Sequence, residues 1–200
     1  EKCIRAGEDI TKQHDALVTF GIEPTKPATG YGYIQFNPAK NINHDAYKVK
    51  TFAEKPDRET AQRFLKHGSF LWNSGMFIWK AETILQAIDQ HLPDLGHSLK
   101  KISSALDTPD FEKTLQEEWL TIRKESIDYG VMEKAENVYV VRSDFAWSDV
   151  GSWDAVYELE DKDDNENVIK GDNIKTLDSE GCYIYSDGDL ISTIGVEDLI

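Results

Sequence analysis

Short β-rich apolar runs alternate with apolar stripes at helical spacing as far as about residue 160, and this alternation limits the fold more than any other feature. ALVTFGI (16–22), YIQF (33–36), YKVKTF (47–52), FLWNSGMFIW (70–79) and NVYVV (137–141) read as strands. Residues 1–13 read as a helix, and 23–32 as a loop rich in Pro, Gly and Thr. A polar turn is expected over 37–45. Asp57 follows Pro56 as a helix N-cap, Ala61, Phe64 and Leu65 supply the apolar stripe, and Gly68 closes it. Ile84, Leu85, Ile88 and Leu92 mark a helix ending near Pro93; Phe111, Leu115, Trp119 and Ile122 mark another, begun by Thr108-Pro109-Asp110. Strands that take turns with helices predict an α/β layered fold around a parallel or mixed sheet. In such sheets ligands sit beyond the carboxyl ends of strands.

The texture changes after the acidic run EDKDDNEN (160–167). Beyond it come short strands at tight spacing with Asp-Gly turns. The expected organisation is therefore an α/β unit over 1–160 and a small β-rich unit over 161–200.

Charge removes several function classes. The net charge is −15, so the surface repels nucleic-acid backbones and anionic membranes. A phosphorylated small molecule still needs only a few local cations or a divalent metal. The two cysteines, Cys3 and Cys182, form neither a disulfide framework nor a zinc pattern, which suits a reducing, cytoplasmic setting. The five histidines lack HxxxH or HExxH spacing. No apolar run approaches the ~20 residues that span a bilayer. The chain opens as if inside a helix, without Met, and is expected to be a piece whose natural start lies upstream.

Four segments at strand edges could carry chemistry. In Phe52-Ala53-Glu54-Lys55-Pro56, Lys55 offers a point cation for a phosphate and Glu54 an acceptor for hydroxyls. Pro56 is expected to hold Lys55 in the extended region. In Trp72-Asn73-Ser74-Gly75-Met76, the Asn73 amide carries both donors and an acceptor, which suits a sugar hydroxyl, and Gly75 allows close backbone approach. In Trp147-Ser148-Asp149-Val150-Gly151-Ser152-Trp153, Asp149 is a single carboxylate, and magnesium is commonly held by one or two carboxylates plus substrate phosphates. Thr29-Gly30-Tyr31-Gly32-Tyr33 could offer backbone amides beside an aromatic wall. On spacing alone each also reads as plain structure: a strand-to-helix turn with an exposed ion pair, a β-bulge, a helix cap by Asp149 or Ser152, a tight connection. Asp128 and Glu133, flanking Tyr129-Gly130, are weaker substrate-site candidates.

Taken in order, TGYGYI (29–34), FAEKP (52–56), FLWNSGMFIW (70–79), SIDYGVMEKAENVYVV (126–141) and WSDVGSW (147–153) resemble the downstream half of the mannose-1-phosphate guanylyltransferases, and the tail from Gly181 resembles the sequence just after their catalytic domain. The resemblance implies the second half of a Rossmann-like nucleotidyltransferase domain with a mixed sheet, then a short all-β tail that starts a β-helix-like domain. It also implies a reaction, GTP plus α-mannose 1-phosphate giving GDP-mannose and pyrophosphate, with no covalent enzyme intermediate. By position, Lys55 would grip the sugar phosphate, Glu54 and Asn73 would hold mannose hydroxyls, and Gly32 would lie against the sugar. Asp149 would hold Mg2+, and a homodimer is the family's expected state.

The chain departs from the family in containing no GGxGTRLWPLSR-like loop and no counterpart of the family's other metal-binding aspartate. Most of the GTP site is therefore expected outside these residues, which alone should be inactive. Other readings stay open: a different sugar-1-phosphate nucleotidyltransferase, such as a glucose-1-phosphate enzyme, or a non-catalytic sugar-phosphate-binding module. A bifunctional enzyme with phosphomannose isomerase activity would need a metal-binding β-barrel beyond Ile200.

Overall fold

The computed structural model describes residues 1–43 and 45–200. They divide into two compact units, Glu1–Phe145 and Ala146–Ile200.

The first unit is built on five strands, β1 (Leu17–Ile22), β2 (Tyr33–Asn43), β3 (Ala46–Ala53), β4 (Phe70–Ile78) and β5 (Val138–Ser143). They pair in the closed order β1-β4-β2-β3-β5, with β5 returning to β1. The β1–β5 pair is parallel and every other pair is antiparallel, so the sheet is mixed. The expected turn over 37–45 is instead the second half of β2, where Asn41 pairs with Tyr47 and Asn43 with Ala46; His44 lies outside the described residues. Ladder bonds across a β2–β3 hairpin satisfy this backbone regardless of its polar side chains.

β1 is buried on both faces. Leu17 joins Ile34, Leu71, Met132, Val138 and Val140 in one core cluster, against which Ile84 and Ile88 of α3 (Ala81–His91) pack. Val18 and Phe20 point the other way, toward Ala6 and Ile10 of α1 (Lys2–Gln13). The period of two thus divides one strand between two helical layers.

α2 (Arg58–His67) obeys its sequence signals: Asp57 accepts a hydrogen bond from the Thr60 amide at 2.7 Å, and Gly68 ends the helix at φ +72°. Pro93 ends α3 as expected but also opens α4 (Pro93–Ala105), which no sequence signal above assigns. Proline suits a first helical position because its missing N–H would have no partner there. α5 (Phe111–Thr121) comes next. A single π-turn, Asp128–Met132, then buries Val131 and Met132 under the sheet.

The second unit holds α6 (Trp153–Leu159) and four short strands, β6 (Val168–Lys170), β7 (Ile174–Leu177), β8 (Tyr183–Tyr185) and β9 (Ile191–Ile194). β6 pairs with β8 and β7 with β9, both parallel. The acidic run 160–167, expected as the boundary, lies inside this unit. It is tied in on both sides: the Tyr157 hydroxyl donates to the Glu166 carbonyl at 2.5 Å, and Asp163 accepts from the Asn165 and Asn167 amides. Trp153 packs on Tyr183 at 5.6 Å between ring centroids. Among the described residues no helix is long and apolar enough to cross a membrane.

Candidate active site

Strand register gathers the first-unit candidates at one end of the sheet. Tyr33 stands opposite Ala53 on β3 and opposite Trp72 on β4. Gly32, just before β2, therefore meets Glu54, just after β3, and Asn73 on β4. The Asn73 backbone N–H donates to the Gly32 carbonyl at 2.8 Å. A Cβ on Gly32 would collide with Glu54 Oε2 and lie 3.3 Å from Asn73 Cβ, so only glycine leaves this space open.

Lys55 Nζ lies 3.4 Å from Glu54 Oε1 and is largely exposed. Its backbone is not extended as expected but left-handed, at φ +47°. The chain must reverse from β3 to the Asp57 cap within four residues, and this turn outweighs the preference imposed by Pro56. A lysine held there is under backbone strain of the kind that collects at functional sites.

Glu54 is nearly enclosed, and its Oε2 is buried without a hydrogen-bond partner. Burial raises its carboxyl above the ordinary range; the Asp128 charge and, less strongly, Glu133 add to the rise, while Lys55 opposes it. The Glu54 backbone N–H donates to Glu133 Oε1 at 3.2 Å, which fixes the strand end. An orphaned carboxylate oxygen beside a glycine-sized space suits a ligand hydroxyl that donates to it.

Asn73 is almost fully engaged. Its Oδ1 accepts from the Thr19 hydroxyl at 2.9 Å and from the Gly75 amide at 3.3 Å, and its Nδ2 donates to Asp128 Oδ1 at 2.9 Å. The expected break in β4 is a register shift: Gly21 pairs with Asn73 but Thr19 pairs with Phe77, and Gly75 turns the extra residues at φ +70°. The shift brings Thr19 and Asn73 together. Sequence reasoning misses Thr19, an unremarkable position in an apolar strand, whereas Asp128 and Glu133 stand among its weaker candidates.

Asp149 belongs to the second unit. Its Oδ1 accepts the Gly151 amide at 3.3 Å, and Val150 between them has φ +50°. Ser152, not Asp149, caps α6, accepting from the Ala155 amide at 3.2 Å. Asp149 is thus set out on an exposed turn by a device other than a helix cap. Among the described residues no three His, Cys, Asp or Glu side chains are grouped to hold a metal ion.

The model of a family described as nucleotidyl transferase matches residues 6–166. A mannose-1-phosphate guanylyltransferase from Klebsiella pneumoniae is 44% identical over 92% of this chain, and one from Salmonella montevideo is 40% identical over 96%. The chain spans 39% and 42% of those two relatives. A solved Thermus thermophilus structure, described as a mannose-1-phosphate geranyltransferase, superposes with TM-score 0.83 at 33% identity, over 98% of this chain and 55% of that one. A Helicobacter pylori structure described as a mannose-6-phosphate isomerase matches 74% of this chain and 56% of its own, with TM-score 0.60 and 29% identity. The α/β fold on a mixed sheet and the family match over most of the chain lead to one conclusion: the chain belongs to the nucleotidyl transferase family.

Proposed function

We propose that this chain carries the sugar-phosphate side of an enzyme that makes GDP-mannose and pyrophosphate from GTP and α-mannose 1-phosphate. The observation that carries the reading is the Gly32–Glu54–Asn73 cluster, where a buried acceptor without a partner borders a glycine-sized space beside the cation of Lys55. The relatives' names, and the sequence resemblance in FAEKP, WNSGM and WSDVGSW, support mannose as the sugar and GTP as the nucleotide.

In this reading Lys55 binds the phosphate of mannose 1-phosphate and offsets its charge. Glu54 and Asn73 hold the sugar by its hydroxyls, and Gly32 lets the ring approach the backbone. One phosphate oxygen of the sugar phosphate attacks the α-phosphorus of GTP in line; the bond to the β-phosphate oxygen breaks, and pyrophosphate departs. The residues contribute positioning and charge stabilisation, with no covalent intermediate. A single exposed carboxylate fits the protein's share of a magnesium site, so Asp149 would hold Mg2+, which when bound neutralises charge on the reacting phosphates.

The 200 residues lack a glycine-rich loop ending in basic residues, so nucleotide binding falls to a segment outside them. They would form the second half of the catalytic domain and the start of a β-rich, β-helix-like domain. The full-length protein supplied with GTP, mannose 1-phosphate and Mg2+ should form GDP-mannose; residues 1–200 alone should form none. Failure of the full-length protein to prefer mannose 1-phosphate over glucose 1-phosphate would sink the assignment of the sugar.

A further inference from the structure

We propose that Asp128 is a positioning residue that, with the Gly75 backbone N–H, fixes the polarity of the Asn73 side-chain amide, so that this side chain meets its ligand as a hydrogen-bond donor only. The Thr19 hydroxyl, able to donate or accept, fills a lone pair without choosing the orientation. An asparagine amide has two N–H donors and one oxygen with two lone pairs. Here both lone pairs are used, by the Thr19 hydroxyl at 2.9 Å and the Gly75 N–H at 3.3 Å. One N–H is used by Asp128 Oδ1 at 2.9 Å. What is left for a ligand is one N–H. Rotating the amide by half a turn would set its oxygen against the Asp128 carboxylate and its NH2 against the Gly75 N–H, two repulsive contacts in place of two favourable ones. The holders come from separate elements: Thr19 from β1, Gly75 from the shifted register of β4, Asp128 from the π-turn. Asn73 and Thr19 are buried, so solvent does not compete for the bond between them, while the bonds to Asp128 and Gly75 are partly buried.

The inference rests on the reading that Asn73 faces the sugar, and it narrows it. A donor-only Asn73 contacts a sugar oxygen by that oxygen's lone pair. Replacing the contacted hydroxyl by fluorine, which can still accept weakly, should then cost less than removing it.

The experiment compares KM for mannose 1-phosphate and its monodeoxy and monofluoro analogues in the full-length protein. At one ring position the fluoro analogue should have a lower KM than the deoxy analogue by a larger factor in the wild type than in Asn73→Ala, the difference being roughly threefold to tenfold. Asp128→Ala should shrink that factor toward the Asn73→Ala value, with KM for GTP unchanged, and Asp128→Glu should recover part of it, whereas Thr19→Val, which leaves Asp128 and the Gly75 N–H in place, should keep most of it. If Asn73→Ala leaves KM for mannose 1-phosphate at the wild-type value, the underlying reading of the site fails. If Asn73→Ala raises that KM but the fluoro-to-deoxy factor is the same in both proteins at every position, the donor-only assignment fails. If Asp128→Ala keeps the wild-type factor, the positioning role fails. Asp128→Asn is nearly isosteric and can present either a donor or an acceptor to Asn73, so it should shrink the factor too, and it decides the question alone should Asp128→Ala not fold.

Discussion

At the proposed sugar-phosphate site, the side chain of Glu54 and the backbone of Lys55 are held in costly states that substitution can measure. Glu54 has its carboxyl raised, chiefly by burial, so the folded state holds its proton more tightly than the unfolded chain does. Between the unfolded and folded pKa the native state binds more protons, and this group's contribution to stability falls as pH rises through that window. Glu54→Gln removes the titration. Its stability advantage over the wild type should therefore be small at low pH, grow as pH rises past the ordinary carboxylate range and then level off, as urea titrations at a series of pH values would show. Its affinity for mannose 1-phosphate should fall, because Oε2 is the acceptor proposed for a hydroxyl. Lys55 shows the same opposition in its backbone. At φ +47°, Lys55→Gly relieves a left-handed residue, and stability should hold or rise by up to about 1 kcal/mol. Turnover should drop by roughly a hundredfold or more if the ammonium stabilises phosphate charge in the transition state. Denaturation and steady-state rates on one protein sample check both halves.

Elements set the distances between these residues, and their own requirements can be tested away from the chemistry. Gly21 of β1 has no room for a side chain. A Cβ there would stand 2.6 Å from Leu71 Cδ1 and 2.7 Å from Val140 Cγ2. Gly21→Ala should cost roughly 1–3 kcal/mol by overpacking, read from the urea midpoint at unchanged slope. Asp57→Ala removes the α2 cap two residues after Lys55. The cost should be about 1 kcal/mol, with KM for the sugar phosphate moved far less than in Lys55→Gly. A comparable loss of binding would mean that α2, rather than the β3 end, sets the position of Lys55.

The whole molecule separates the proposed roles between two units. Asp149 and Ser152 share one loop of the second unit, yet Ser152 is the cap and Asp149 is not. Ser152→Ala should thus lower stability by about 1 kcal/mol with little change in turnover. Asp149→Asn should abolish most turnover in the full-length protein while leaving thermal stability near the wild type. Equal effects of the two changes would remove the metal role. The second unit also has its own polar core. Buried Asn167 donates to the Ser179 carbonyl at 2.9 Å and accepts from the Cys182 amide at 3.0 Å, tying the acidic run to the parallel strands. This is why the expected boundary at 160–167 lies inside a compact unit.

Local chemistry makes much of this legible in advance. Alternation names the strands, Asp57 and Gly68 bound α2, Asn-Ser-Gly marks the β4 irregularity, and the ordered motifs pick out Gly32, Glu54, Lys55, Asn73 and Asp149 as candidates. Each of those signals lies within a few residues of what it describes. Tertiary structure decided what depends on residues far apart in sequence. The polar half of β2 is a strand because β3 completes its ladder. Lys55 is left-handed because of where the chain must go next. Glu54 is enclosed because register sets it against Gly32 and Asn73. Thr19 and Asp128 lie 54 and 55 positions from Asn73, and no local pattern records that a sheet register and a π-turn bring both to one amide. The sequence by itself determined which groups are available; the fold decided which of their donors and acceptors are already spent, because hydrogen-bond capacity is used up by neighbours in space.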